Sequence, residues 1–366
     1  MFTDAIGRLL PPAISGSDRN ERKIWSELAE AGVLALGIPE SAQGLGGGMA
    51  ETGMVMRAVG SSLARVPYLS TVALCGWLLS RLNGEQASDR LGTIAAGDLK
   101  LSLAHYEPGA GYSDGPMATR VKSKEGREFL HGVKAPVLDA DCADAFLVSV
   151  PETRGGMSLY LVERDAPGLD VKLKQAVDGS AIGTLTMTGA PATLVGAGDA
   201  AGDIGDALLR ANVAVCAQAL GAMEQVIERT REYLKTRRAF GRTLSQFQVL
   251  QHRFVDMLIA LEETRAVVEA AEAACEVNDG EREIAVRTCK VTTARAARFV
   301  SAQGIQLHGG VGMTDELVIS HYYKRLMTLE AAFGNGEHHL RLLARLAETK
   351  YAGNEAGGVL LQVRAS

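Results

Sequence analysis

No run of about 18 apolar residues occurs anywhere in this sequence of 366 residues, so no segment reads as a membrane-spanning helix. A surplus of positive charge is missing too. Lys and Arg number 38 against 43 Asp and Glu, a net charge of −5, which supplies no field for nucleic acid or an anionic membrane. Cysteine is sparse and odd in number. Cys75, Cys142, Cys216, Cys275 and Cys289 form neither a CxxC pair nor a disulfide framework. The N-terminus, MFTDAIGRLLPPAISGSDRN, has no basic region leading into an apolar core, so the expected location is the cytoplasm. What remains is a chain that is 47% hydrophobic and 22% charged, the balance of a soluble globular protein with room for two or three domains.

The periodicity changes twice along the chain. Residues 1–97 read as a helical domain, with Ile24, Leu28, Ala31 and Ala35 at helical spacing. Further helical stretches cover 51–64 and the residues after Pro67. Between 98 and 198 the period becomes two. Seven short runs, from LSLAHYE to GTLTMTG, are separated by turns such as Glu125-Gly126 and Asp178-Gly179. No helices intervene, which predicts a compact antiparallel β-barrel or sandwich. From 199 to 366 the period returns to 3.6, and four long amphipathic helices predict an antiparallel bundle, the last over 319–351. The fold class is therefore α+β multidomain, without the βαβ alternation of a dinucleotide-binding sheet.

The 41 glycines invite a search for phosphate loops, yet no GxGxxG follows a strand and GxxxxGK[ST] is absent. GxSxG and HExxH are absent as well. Glu337-His338-His339 has no metal-ligand partner at helical spacing, and no metal site is expected. Three segments are left over: Arg237-Arg238-Ala239-Phe240-Gly241 running on to Phe247-Gln248; Gln303 to Thr314 with Gln306, Gly309 and Gly310; and Leu36 to Glu40 with Gly44 to Gly48.

In this order, around a strand-rich middle, these segments resemble the acyl-CoA dehydrogenase family over essentially the whole chain. The resemblance implies an N-terminal helical domain, a middle β-barrel and a C-terminal four-helix bundle. It also implies FAD as cofactor, an acyl-CoA as substrate and an electron-transfer flavoprotein or similar acceptor. By the same resemblance Arg237 reaches the diphosphate of a neighbouring subunit's flavin, Phe240 lies near the adenine, and Gln248 is a polar neighbour of that nucleotide. Gln306, Gly309 and Gly310 match the loop whose bare backbone approaches the diphosphate. His308 reads as a packed histidine.

The flavin-facing positions depart from the family pattern. Tyr106 stands at the threonine of a Thr-Glu-Pro-x-x-Gly segment, with Ser113-Asp114 displaced behind it. Pro136 replaces a tryptophan over the flavin, and Leu138 a hydroxyl donor to it. The family's base is a glutamate shortly after the glycine loop, or a carboxylate on the first bundle helix. Those positions hold Phe333 and Ala211 here, with Asn212 where an arginine often stands. Two readings stay open. Either Glu330 takes the base role in a homodimer or homotetramer, or the chain is the base-lacking subunit of a heterotetramer with a base-bearing paralogue. In the first reading the alternative for Glu330 is an ordinary helix carboxylate paired with Lys324 or Arg325. A redox-silent acyl-CoA- or protein-binding homologue is the third possibility.

Overall fold

A computed structural model describes residues 2–13, 20–82, 85–112, 117–152, 155–196, 198–277 and 280–352. The first unit contains helices α1 (Phe2–Leu9), α2 (Glu21–Glu30) and α3 (Met49–Ser62), a π-helical segment Tyr68–Gly76, α4 (Trp77–Arg81) and α5 (Glu85–Ala96). Asn20 caps α2 by accepting the Lys23 N–H at 3.1 Å. The predicted apolar positions Ile24 and Leu28 are buried.

Seven strands follow: β1 (Leu101–Ala104), β2 (Arg120–Lys124), β3 (Arg127–Leu138), β4 (Ala145–Pro151), β5 (Met157–Glu163), β6 (Leu169–Gln175) and β7 (Ala181–Val195). They run in the order β1-β4-β5-β7-β3-β2, with β6 also pairing β7. The expectation of an antiparallel barrel needs correcting. β1 and β4 pair in parallel, and among the described residues no pairing joins β1 to β2 and closes the sheet. The long β7 serves β5 through its last three residues, Thr193, Leu194 and Val195, and both β3 and β6 through residues before them. Such strand sharing is set by pairings distant in sequence, which a period-two pattern does not encode.

The C-terminal unit holds α6 (Ala201–Thr236), a hairpin of β8 (Arg238–Ala239) and β9 (Arg242–Thr243), α7 (Gln248–Ala274), α8 (Arg282–His308), α9 (Val318–Ala331) and α10 (Gly336–Ala352). The single helix expected over 319–351 is two helices. Phe333 (φ 54°) and Gly334 (φ 105°) adopt positive φ and break it. No described helix is long and apolar enough to cross a membrane.

α6 is the spine of the molecule. It is buried along most of its length and packs against α3, α7, α8 and α9. Its approach to α3 is backbone on backbone. A Cβ on Gly60 would sit 1.9 Å from the Gln218 carbonyl oxygen, and one on Gly221 would sit 1.9 Å from that of Arg57. Gly221→Val should therefore force the helices apart and cost about 3 kcal/mol, as overpacked cores do. An unchanged melting temperature would contradict this contact.

Candidate active site

Between the sheet and the bundle lies a cavity of about 340 Å3. Ser70 and Leu74 come from the π-helical segment, Tyr106 follows β1, Pro136 and Leu138 lie on β3, and Leu208 and Phe333 complete the bundle side. Pro136 and Leu138 thus face the space where the resemblance expects flavin-binding groups. Among the described lining residues there is no carboxylate.

Three rings of the cavity wall, His105, Tyr106 and Tyr112, run on into His338 and His339 beyond it. His105, Tyr106, Tyr112, His338 and His339 form a continuous chain, with successive centroids 5.2, 6.2, 5.6 and 5.2 Å apart. Tyr112 is pinned by its hydroxyl, which donates to the Ala331 carbonyl at 2.8 Å. Tyr106 at the threonine position is one link of that chain. Ser113-Asp114, the displaced pair, lies outside the described residues.

Beneath this wall sits a buried ion pair. Lys134, with no exposed side-chain surface, donates from Nζ to Glu107 Oε1 at 2.9 Å and to the His105 carbonyl at 2.9 Å. Glu107 also accepts the backbone N–H groups of Ala118 at 2.6 Å and Thr119 at 3.1 Å. Burial alone would raise the Glu107 pKa, but hydrogen bonds from Thr119, Ala118 and Lys134 outweigh it and hold the carboxyl below its usual range.

The turn at 332–335 is clamped from two sides. Lys290, fully buried on α8, donates to the carbonyls of Leu329 at 3.1 Å and Ala332 at 2.8 Å, closing the C-terminus of α9. His339 Nε2 lies 3.1 Å from the Phe333 carbonyl. Lys290 does not stand out in the sequence and His339 does so only within Glu337-His338-His339, because each acts on a turn that sequence periodicity does not reveal. Burial chiefly, with the charges of Lys290 and Arg287 nearby, pushes the His339 pKa down to about 3. The folded state therefore binds fewer protons than the unfolded one between about pH 3 and the ordinary histidine value of about 6.5. Stability is lost as pH falls through that window, by about 2 kcal/mol at pH 5 from this group. Denaturant titrations at pH 7 and pH 5 should show that His339→Gln loses less than the parent protein on acidification. Equal losses would contradict the assignment.

Glu330 does not reach the cavity. Its carboxylate turns toward α8, where Oε1 accepts from Arg298 at 2.8 Å and from the Gly336 N–H at 3.3 Å. Neither sequence-based pairing forms, since Lys324 bonds Asp315 at 2.6 Å and Arg325 is ion-paired with Asp178 at 2.7 Å. Glu330 is held by Arg298 and the Gly336 N–H rather than by either expected partner. Phe333 lines the cavity, and Ala211 is fully buried in the core. The other base positions thus carry no ionisable group.

Arg237, Phe240, Gln248, Gln306, Gly309 and Gly310 are all exposed, and Arg237 and Phe240 gather with the glycine pair at one end of the bundle. The Tyr233 hydroxyl donates to the His308 carbonyl at 3.2 Å, and the two rings stack with centroids 4.4 Å apart. That contact sets Arg237, the C-cap of α6, beside the loop that begins at Gly309. His308 is packed as expected, its Nδ1 2.8 Å from the Gly304 carbonyl.

In the hairpin, Phe240 (φ 51°) and Gly241 (φ 79°) form the turn. Phe240 is 94% exposed. A bulky residue held at positive φ with its ring in water is costly unless something outside the chain covers it. Gly310 points the same way. Its φ is not positive, and a Cβ there would meet nothing within 4 Å in this chain.

These positions allow a test of the flavin. At the diphosphate end the chemistry fits: a cation, an aromatic face and backbone without side chains, all turned outward. At the ring end it does not. Pro136 offers no N–H, Leu138 no hydroxyl, and the ring chain through Tyr106 and Tyr112 walls the space. One flavin could not span both ends of one chain in any case. Leu208 at the cavity and Arg237 lie near opposite ends of α6, about 43 Å apart at 1.5 Å per residue.

Residues 7–98 match the family model described as acyl-CoA dehydrogenase, N-terminal domain, and residues 204–347 the one described as acyl-CoA dehydrogenase, C-terminal domain. The chain is similar to the acyl-CoA dehydrogenase FadE27 of Mycobacterium tuberculosis, with 32% identity over 90% of both proteins. Among solved structures it is similar to a chain of the ChsE4–ChsE5 complex from Mycobacterium tuberculosis, at 27% identity and a TM-score of 0.81, covering 95% of each chain. It is also similar to a chain of a Tcur3481–Tcur3483 steroid ACAD variant, at 26% identity and a TM-score of 0.85, covering 96% of this chain and 97% of that one.

Proposed function

The chain belongs to the acyl-CoA dehydrogenase family, whose enzymes are FAD-dependent oxidoreductases acting on CH–CH groups, and we propose that within it this chain is the base-lacking partner of a heteromeric enzyme. The observation that carries the reading is the cavity: Pro136, Leu138 and Phe333 stand at three positions where flavin contacts and a base are needed, and no described lining residue is a carboxylate. The outward-facing diphosphate elements then serve a flavin seated in another subunit.

When bound, the flavin supplies the hydride acceptor. This chain's own part is recognition. Arg237 offers a charge-assisted bond to a phosphate oxygen, Gly309 and Gly310 let backbone come close, and Phe240 covers the nucleotide. Gln248 and Gln306 add polar contacts. The α-proton of an acyl-CoA is taken by a carboxylate on the paralogue, with electrons passing on to an acceptor of the electron-transfer flavoprotein type. The similarity to chains of the ChsE4–ChsE5 complex and of a steroid ACAD supports a heteromer acting on a bulky acyl-CoA.

Co-expression with a paralogue that retains its glutamate tests this. Acyl-CoA-dependent dye reduction should appear only with both chains present. It should be abolished by a glutamate-to-glutamine change in the paralogue and survive Glu330→Gln here. Turnover by the isolated chain would overturn the reading.

A further inference from the structure

The cavity between the sheet and the bundle has a lining that is apolar and, where polar, already engaged. Among the described residues it carries no Lys, Arg, Asp or Glu. Ser70 Oγ donates to Asp139 at 2.6 Å, and Ser180 Oγ to Asp178 at 2.7 Å. Ser102 donates to the Leu138 carbonyl, Tyr112 to that of Ala331 at 2.8 Å and Thr328 to that of Lys324 at 3.2 Å. None of the described lining residues has a buried side-chain N or O atom left without a partner. An ordered water needs about two to four polar partners, and a thioester carbonyl needs a donor. These hydroxyls give their protons to the protein instead and keep only acceptor capacity.

Val177 marks the mouth, since it lines the cavity and is 63% exposed. It sits in the turn between β6 and β7, which is pinned at three points. The Ala176 N–H donates to the Ser180 carbonyl at 2.8 Å, and the Gly179 carbonyl accepts from Arg65 Nη1 at 3.3 Å. Asp178 is ion-paired with Arg325 of α9 at 2.7 Å, both side chains nearly buried. The rim therefore holds its shape while an apolar side chain stays in water. The cavity measures about 340 Å3. An apolar cavity of about 150 Å3 takes up one benzene, so this one has room for about 14 carbons, a three-ring system. Tyr106, Tyr112 and Phe333 give it aromatic surface.

We propose that in this chain the cavity binds a neutral fused-ring molecule of about 14 carbons, free and not as a thioester, entering past Val177. The proposal rests on the reading of the chain as a partner subunit, because a flavin ring held here would fill the same space. Burial of apolar surface supplies the affinity. Charge is excluded, since a carboxylate would lose its water and meet no cation among the described lining residues. The ligand would touch Ala331, Ala332 and Phe333, so occupancy braces the clamped turn between α9 and α10 and stabilises the chain.

Equilibrium dialysis of the co-expressed complex against phenanthrol and phenanthrene carboxylate, the same rings without and with a charge, tests this. One phenanthrol per copy of this chain at a Kd of about 10 μM or tighter, with the carboxylate at least about tenfold weaker, supports the site. Leu208→Trp, which fills the cavity from a half-buried position on α6, should abolish binding. Val177→Glu, at an exposed position where folding is not at stake, should weaken it about tenfold, with flavin content unchanged in both variants. Binding that survives both variants, equal binding of the carboxylate, or displacement by equimolar octanoyl-CoA overturns the proposal and leaves the partner-subunit reading standing. So does the absence of phenanthrol binding with one flavin per two chains. Uptake of FAD to one per chain, displacing phenanthrol, overturns both.

Discussion

Arg237→Ala, introduced into the co-expressed complex, is expected to weaken flavin binding about 10- to 100-fold. Dye reduction at limiting FAD should fall in parallel, while the melting temperature of this chain hardly moves. The size follows from one charge-assisted bond to a phosphate, about 1.5–3 kcal/mol, at 1.4 kcal/mol per decade. The unchanged stability follows from exposure: Arg237 caps α6 through its backbone N–H, bonded to the Tyr233 carbonyl at 2.8 Å, and its side chain is in water. Phe240→Ala should act in the same direction and more weakly, since among the described residues the ring contact recorded for it is an edge contact with Phe247, centroids 6.3 Å apart. Flavin retention at the parent level in Arg237→Ala would show that the outward-facing hairpin serves some other contact.

The second large effect is on folding. Lys134→Met should cost about 3–5 kcal/mol, because it strands the Glu107 carboxylate, which among the described residues is paired with no other cation. The loss should be worst near neutral pH. In the variant, Glu107 keeps its two backbone donors but not its ammonium partner, so protonation relieves the unpaired charge and acidification recovers part of the stability. Replacing both residues, Lys134→Met with Glu107→Gln, should recover much of the loss. A single variant as stable as the parent would mean the pair contributes nothing to the wall beneath Tyr106.

Much of this molecule was legible in its sequence, and the failures have physical causes. All seven strands of the sheet announced themselves by alternation, and Gly241 announced the turn after α6, though not the β8–β9 hairpin around it. The parallel β1–β4 pair and the open sheet did not, because pairing partners 44 residues apart, such as Leu101 and Ala145, leave no local trace. The break between α9 and α10 was hidden because it uses Phe333 rather than proline, and is held by Lys290 and His339 from other parts of the chain. Glu330 was placed on the correct helix, but its partner Arg298 lies 32 residues away, and only the fold shows that it turns from the cavity. The substitutions at Tyr106, Pro136, Leu138 and Phe333 were visible singly. That they line one space, and that three linked rings, His105, Tyr106 and Tyr112, form part of its wall, required the structure.

The central claim is that this chain contributes to a flavin site without housing the flavin, and flavin stoichiometry tests it most directly. The complex with a base-bearing paralogue, stripped and reloaded with excess FAD, should hold one flavin per two chains, and this chain purified alone should hold none. One flavin per chain in the complex, or a flavin bound by this chain alone, would contradict the account.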